Sequence, residues 1–148
     1  RPDDLSRTDG LLPVQFETEI VIYKLIENKA ISVVTEGKFS RRERARIEDE
    51  PAYGNIAEVG LGVLGEWGVS AVGSTLLDEK LGLHVAFGRS NHFGVVTGPK
   101  AFREPKNVIH QDWVYVPSVQ PLIEVEDVTI EYPNGSTEGI MHLGKYIV

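Results

Sequence analysis

Three short apolar stretches decide the fold of this chain: NIAEVGLG at residues 55–62, LHVAFG at residues 83–88 and NVIHQDWVYV at residues 107–116. Stretches of this length, rich in β-branched and aromatic residues and bounded by glycine, proline or polar residues, are typical of β-strands. Each stretch also carries ionisable side chains, which are costly to bury without partners. The sequence therefore predicts three strands that bring ionisable groups into one region.

The ionisable residues in these strands are Glu58, His84, His110 and Asp112. Successive side chains of a strand point to opposite faces, so His110 and Asp112 share a face and Glu58 shares one with Gly60. Small neighbours beside a polar side chain leave room for a bound ion. Imidazole and carboxylate groups suit zinc, iron, cobalt or manganese. We therefore predict a divalent metal site formed by these four residues.

The chain before the first stretch predicts a hairpin and a helix. Residues 17–26 and 30–35 are rich in Ile and Val and are expected to be strands joined by a turn at Asn28 and Lys29. Residues 40–50 are charged and end before Pro51. Ser40 and Glu43 match a capping box, which predicts a short helix beginning at Ser40.

The remaining segments favour a single domain of α+β class with mainly antiparallel strands and a few short helices. Residues 1–13 are polar and rich in turn formers, so they are expected to be a linker. Residues 75–81 are expected to form one or two helical turns. Further strands are expected at residues 122–125, 128–132 and 140–148, with a turn signal at residues 133–135.

Composition excludes several kinds of site and partner. The chain has 148 residues and a formal net charge of −7, which argues against nucleic acid because phosphate binding needs clustered Lys and Arg. The absence of cysteine excludes disulfides and thiolate metal ligands and fits a cytoplasmic protein. No apolar run approaches the roughly 20 residues of a membrane span, so no membrane partner is expected.

Four blocks in order resemble one known family. NIAEVGLG (55–62), LDEK (77–80), HVAFG (84–88) and HQD (110–112) are similar to the C-terminal half of the thermophilic metallo-aminopeptidases, also called aminopeptidase T or leucyl aminopeptidase. The resemblance runs from about residue 17 to the end. It implies a cytoplasmic, dimeric exopeptidase that removes N-terminal residues from peptides and holds two divalent metals.

The resemblance assigns the metal-ligand role to Glu58, His84, His110 and Asp112. We expect zinc, cobalt or manganese, with Glu58 bridging two metals because a carboxylate has two oxygens to share. The family has a further glutamate ligand upstream, at a distance that would place it before Arg1. The family's tyrosine seven residues after the first histidine is replaced here by Asn91. We therefore expect this chain to be a C-terminal part of a longer protein, weakly active or inactive alone.

Other interpretations of the same residues stay open. Two histidines and a carboxylate also form the ligand set of non-haem Fe(II) oxygenases, and a ring-cleaving dioxygenase is similar to this family. A domain that keeps the fold without catalysis is a third possibility. His110 and Asp112 could form only a hydrogen-bonded pair, and residues 78–80 are expected to serve a structural role.

Overall fold

The fold consists of three antiparallel sheets of three strands each, with two helices, within residues 8–91, 94 and 97–147, which this computed structural model describes. The predicted α+β class with mainly antiparallel strands is confirmed. The elements are β1 (Asp9–Phe16), β2 (Glu19–Ile26), β3 (Lys29–Val33), α1 (Lys38–Asp49), β4 (Ile56–Leu61), α2 (Thr75–Asp78), β5 (Leu83–Gly88), β6 (His110–Val114), β7 (Asp127–Glu131), β8 (Thr137–His142) and β9 (Lys145–Tyr146). None of the helices in this described part has the length and apolar character needed to cross a bilayer.

The first sheet is a meander of β1, β2 and β3. Glu27 and Asn28 have positive φ angles of 48° and 67° and join β2 to β3 in a two-residue turn, so the predicted hairpin is present. This backbone matches the right-handed twist of the flanking strands.

The start of this sheet corrects one prediction. Residues 9–13, which the sequence predicts as part of a linker, form the first half of β1. Pro13 pairs with Ile22 on an edge strand, where a residue without an N–H is tolerated. Residues 1–7 lie outside the described part of the chain.

Helix α1 is capped from a distant strand. The predicted capping box of Ser40 and Glu43 is wrong, because the helix begins at Lys38 and Glu43 is fully buried. The Glu19 carboxylate instead accepts the backbone N–H of Phe39 at 3.0 Å and of Ser40 at 2.7 Å, and the Ser40 hydroxyl at 2.7 Å. The first sheet and the helix are thereby tied together.

The core lies between the first sheet and the back of the second sheet, which has the order β4-β5-β6. Phe87 on β5 is fully buried and packs edge-on against Tyr23, with ring centroids 5.0 Å apart, and against Tyr53 at 5.7 Å. Trp113 on β6 packs edge-on against Phe16 at 5.1 Å. The β5 and β6 part of this face is therefore packed against the core, whereas Val59 and Leu61 of β4 stay exposed.

The two sheets meet just before β4, where Asn55 forms an antiparallel bridge with Lys29 of β3. The Asn55 side-chain amide donates to the Gly88 carbonyl at 2.8 Å, and its own carbonyl accepts the Gly88 N–H at 2.8 Å. The Ile56 N–H donates to the Asn28 carbonyl at 2.9 Å, and the Asn28 amide donates back to Ile56 at 2.7 Å. The Asn55–Gly88 bonds extend the pairing of β4 with β5, and the two Asn28–Ile56 bonds fix the second sheet against the first.

The third sheet has the order β7-β8-β9 and contacts the second through Tyr146, whose hydroxyl donates to the Gly62 carbonyl at 2.7 Å. A cavity of about 650 Å³ lies between the third sheet and the segments of residues 65–70, 81–82 and 115–125. Residues 122–125, a predicted strand, are irregular instead. The Leu122 N–H bonds to the Gln15 side chain at 2.8 Å and not to a neighbouring strand.

Candidate metal centre

The predicted ligands occupy one face of the second sheet. Glu58 on β4 and Asp112 on β6 lie directly opposite Ala86 of β5, one from each side. His84 lies on β5 two residues before Ala86, and His110 is paired with the strand position two residues after it. By the two-residue period, all of these side chains point away from the core. The face opposite the sealed core is thus lined by two imidazoles and two carboxylates.

Glycine stands opposite each histidine. Gly60 pairs with His84 and Gly88 pairs with His110. A Cβ atom on Gly60 would lie 2.1 Å from the His84 Nε2 atom, so the imidazole occupies the space that any other side chain would fill. Gly88 has a φ of 98°, and a Cβ atom there would lie 2.2 Å from the Ile109 carbonyl oxygen. Both glycines are required by the local geometry.

The Glu58 carboxylate lies between the two imidazoles. Its Oε1 atom is 3.3 Å from the His84 Nε2 atom, and its Oε2 atom is 3.5 Å from the His110 Nε2 atom. The His110 Nε2 atom is also 3.6 Å from Oδ1 of Asp112. The structure therefore brings all four predicted residues together, at distances longer than direct charge-assisted hydrogen bonds.

The outer nitrogen of each imidazole is fixed by the backbone. The His84 Nδ1 atom is 3.2 Å from the Gly82 carbonyl oxygen, and the His110 Nδ1 atom is 2.7 Å from the Arg89 carbonyl oxygen. A carbonyl only accepts, so each Nδ1 donates, and a neutral ring then directs the lone pair of Nε2 towards the carboxylates. A lone pair facing a carboxylate is stable only with a proton or a cation between them. A hydrogen bond from Nδ1 to a backbone carbonyl, with Nε2 left to face a cation, is typical of metal-binding histidines.

Asp112 supplies an independent sign that the cluster fits a cation. The residue is 8% exposed, and its Oδ1 atom is buried and lacks a hydrogen-bond partner among the described residues. Burial raises the pKa of Asp112; His110 and His84 oppose this rise, whereas Glu79 and Glu58 add to it. A buried carboxylate oxygen without a donor is costly unless a cation neutralises it.

Among the residues that the structure describes, two overlapping groups of three have ligand atoms within 4.8 Å of one another. They are Glu58 with His110 and Asp112, and Glu79 with His84 and Asp112. The residue common to both groups is Asp112, which differs from the expectation that Glu58 is shared. The expectation that Glu58 bridges two metals stays a prediction.

Glu79 is the residue of this cluster that sequence reasoning missed. The LDEK block at residues 77–80 contains it and was predicted to be structural. That prediction holds for Asp78, whose carboxylate accepts the N–H groups of Val72 and Gly73, each at 2.9 Å. Glu79 begins a 3₁₀ turn, Glu79–Leu81, that leads directly into β5. Its side chain is directed to the cluster.

Asn91 lies in the connection between β5 and β6, three residues after β5 ends. Asn91 is exposed, and its carbonyl accepts the Gly94 N–H at 3.2 Å. Two residues before Asn91, the Arg89 carbonyl that holds His110 begins the segment of residues 89–109 between β5 and β6. Residues 92, 93, 95 and 96 of this segment lie outside the described part of the chain.

No family model matches the sequence, and no curated protein sequence matches it. Among solved structures, wild-type AmpT from Thermus thermophilus, a thermophilic aminopeptidase, is similar, with a TM-score of 0.57 and 22% identity. The match covers 93% of this chain and 35% of that structure, so the chain spans about a third of its length. At this identity the likeness shows the fold, and any relation is distant.

Proposed function

We propose that this chain carries the metal centre of an aminopeptidase-like hydrolase that removes N-terminal residues from peptides. The single observation that carries the proposal is the position of Glu58 between the Nε2 atoms of His84 and His110, at 3.3 and 3.5 Å. The fold likeness to an aminopeptidase supports the same reading. A homodimer and a longer natural protein are part of this proposal.

The ligand set suits zinc, cobalt or manganese, because imidazole nitrogen and carboxylate oxygen bind all three. Glu58, His110 and Asp112 would hold one metal, and His84 would contribute to a second position. When bound, two neighbouring divalent metals lower the pKa of a water molecule and polarise a carbonyl, which is the chemistry that peptide hydrolysis needs.

The chain's own residues prepare this chemistry in three ways. The Gly82 and Arg89 carbonyls hold each imidazole with Nε2 directed inwards. Gly60 leaves the space that the His84 ring occupies. The aromatic core behind β5 and β6 keeps water from the rear of these two strands, which strengthens electrostatic interactions at His84, His110 and Asp112.

A non-haem Fe(II) oxygenase is the second candidate. His84, His110 and Glu58 lie together, and two histidines with one carboxylate form the ligand set of such enzymes. Asp112 and Glu79 bring further carboxylates to the same cluster. This surplus favours the hydrolase, because the oxygenase ligand set uses only one carboxylate.

The test is an assay of a longer form of the protein, and of this chain alone, on free-amino peptides and their N-acetylated counterparts, with added zinc, cobalt or manganese. We expect the longer form to release N-terminal residues from the free-amino peptides only and to lose that activity with a chelator, and the chain alone to be weakly active or inactive. In the longer form, His110→Ala and Glu58→Ala should abolish the activity.

His142→Ala is the matched control, because His142 also contacts an aspartate, Asp127, at 2.8 Å, but on the exposed third sheet. Activity that survives the chelator or His110→Ala would overturn the hydrolase. Metal binding without hydrolysis would leave a non-catalytic domain, and oxygen-dependent ring cleavage with Fe(II) would favour the oxygenase.

A further inference from the structure

We propose that Glu50, at the end of α1, is a positioning residue that orients His110 by holding the chain that leads into β6. The inference rests on the proposed function, because His110 is one of the ligands of the proposed metal centre. It gives a role in the site to a residue of the charged first helix, which the sequence alone does not connect with the site.

Glu50 occupies a place that is costly for a carboxylate. It is 5% exposed and lies directly after the last residue of α1, where the partial negative charge of the helix end repels an anion. Its Oε1 atom is buried and has no hydrogen-bond partner in the described part of the chain. A buried carboxylate oxygen without a donor destabilises the folded chain. An acid at this position is therefore explained by the contacts of its other oxygen, and not by the stability of the helix.

The other oxygen of Glu50 holds two points of the connection between β5 and β6. This Oε2 atom accepts the backbone N–H of Arg103 at 2.9 Å and the side-chain amide of Asn107 at 3.0 Å. Hydrogen bonds to an ionised carboxylate are roughly twice as strong as those between neutral groups. The 3₁₀ turn Pro105–Asn107 ends at the second donor, and Phe102, beside the first donor, is buried. Glu50 thereby fixes the last part of the connection before β6.

A short path of hydrogen bonds runs from this turn to His110. Ile109 follows Asn107 by two residues, and its carbonyl accepts the Arg89 N–H at 2.7 Å. The Arg89 carbonyl in turn accepts a hydrogen bond from the His110 Nδ1 atom at 2.7 Å. This last bond fixes the orientation of the ring, so a displacement of Ile109 and Arg89 turns the Nε2 atom of His110 away from the carboxylates.

His84 does not depend on this path. Its Nδ1 atom is 3.2 Å from the carbonyl oxygen of Gly82, which lies in the turn before β5. Loss of the Glu50 carboxylate should therefore alter His110 and leave His84 in place, whereas a general loosening of the fold would alter both rings. The two histidines of one cluster thus separate a positioning role from a structural one.

The first experiment observes the imidazoles directly, in the chain without metal. Long-range nitrogen–proton NMR spectra at one fixed pH report the tautomer and the hydrogen bonding of each ring. We expect Glu50→Ala to shift the ring signals of His110 and to leave those of His84 and His142 unchanged. Asn107→Ala removes one of the two donors and keeps Glu50, so it should shift the His110 signals by a smaller amount. This variant decides the question if Glu50→Ala does not fold.

Asp49→Ala is the matched control for both variants. Asp49 lies next to Glu50 and reaches the same arginine, but it does so through the guanidinium of Arg103 at 3.6 Å, and its side chain is 84% exposed. The control should leave all of the imidazole signals unchanged. Circular dichroism establishes that each variant is folded.

The second experiment measures metal binding, by calorimetric titration with zinc and by the visible absorption of the cobalt form. We expect Glu50→Ala to weaken binding by about tenfold, the lower end of the loss seen when a residue that supports a metal ligand is removed. The absorption spectrum of bound cobalt should also change, because it reports the geometry of the ligands. Asp49→Ala should change neither the affinity nor the spectrum.

The outcomes separate this inference from the proposed function. Unchanged His110 signals in the folded variants, or equal shifts of the His110 and His84 signals, would overturn the positioning role and leave the hydrolase standing. A lower melting temperature of Glu50→Ala with unchanged His110 signals and metal affinity would show a purely structural role and overturn the inference. If the unchanged chain binds no metal, the hydrolase is overturned, and the spectra of the metal-free chain still decide the role of Glu50.

Discussion

The imidazole of His84 fills the space where Gly60 lacks a side chain. A Cβ atom on Gly60 would lie 2.1 Å from Nε2 and 2.2 Å from Cε1 of that ring. Real carbon atoms do not approach so closely, so the ring would have to move away from Glu58. The glycine therefore decides where the inner nitrogen of His84 points.

We predict that Gly60→Ala weakens divalent-metal binding by about tenfold or more, because it displaces a ligand. Calorimetric titration measures the effect. Gly98→Ala is the control, since a Cβ atom there would meet nothing closer than Asn91, at 3.5 Å. Unchanged affinity in a folded Gly60→Ala variant would contradict the placement of His84.

Metal should also stabilise the fold, because the ligands come from three strands and an unfolded chain cannot hold them together. At a free metal concentration of about 100 times the dissociation constant, the expected gain is about 2.7 kcal/mol. Thermal unfolding with metal, and again with chelator, measures it. The shift should vanish in His110→Ala and persist in His142→Ala. An equal shift in both variants would show that the metal binds elsewhere.

The cap on α1 predicts a pH dependence of stability. The hydrogen bond from the Ser40 hydroxyl lowers the pKa of Glu19 below its ordinary value of 4.5. A lowered pKa means that the stabilisation is present above the unfolded value and is lost as pH falls through the folded value. Glu19→Gln should lower the melting temperature at pH 7, and this difference should shrink below about pH 4.5.

Glu17→Gln is the control for this experiment, because Glu17 is exposed in the turn just before β2. It should leave the melting temperature unchanged across the same range. If Glu19→Gln lowers the melting temperature by the same amount at every pH, the charge of Glu19 does not contribute to stability.

Glu43 should be important for stability and not for metal binding. Its Oε2 atom accepts the hydroxyls of Tyr23 at 3.0 Å and Tyr53 at 2.7 Å, and burial raises the pKa of both tyrosines. Glu43→Ala removes the acceptor that these two buried hydroxyls share, at a cost of about 1–3 kcal/mol. Urea unfolding measures the loss. Glu48→Ala, on the exposed side of the same helix, should change stability little.

The strands of the site were predictable, because their alternation depends only on local sequence. Residues two apart in a strand share a face, so His110 and Asp112 lie on one face whatever the position of the strand in the sheet. The antiparallel class followed from short strands separated by turn residues, and the structure confirms it. Which atoms of Glu58 meet which histidine depends on the pairing register, and the bulge between Ile56 and Glu58 sets that register without a clear local signal.

Two other features depend on contacts between distant parts of the chain. The carboxylate that caps α1 comes from Glu19, and the LDEK motif gave no local indication that Glu79 would face the metal cluster. The Ser40 and Glu43 pattern matched a capping box, but packing placed Glu43 in the core. Sequence periodicity predicts which residues of a strand or helix share a face. It does not predict which side chains from other elements will contact that face.

Strand β5 contributes to the core and the site in alternate positions: Val85 and Phe87 are packed in the core, whereas His84 and Ala86 face the cluster. Inserting or deleting one residue between His84 and Phe87 would exchange these faces for the rest of the strand. Phe87 would then be presented to the ligands, and a small residue would take its place among Tyr23 and Tyr53. A single-residue insertion or deletion within β5 would therefore disrupt both the core and the site. Changes in chain length are restricted to the loops on either side of the strand.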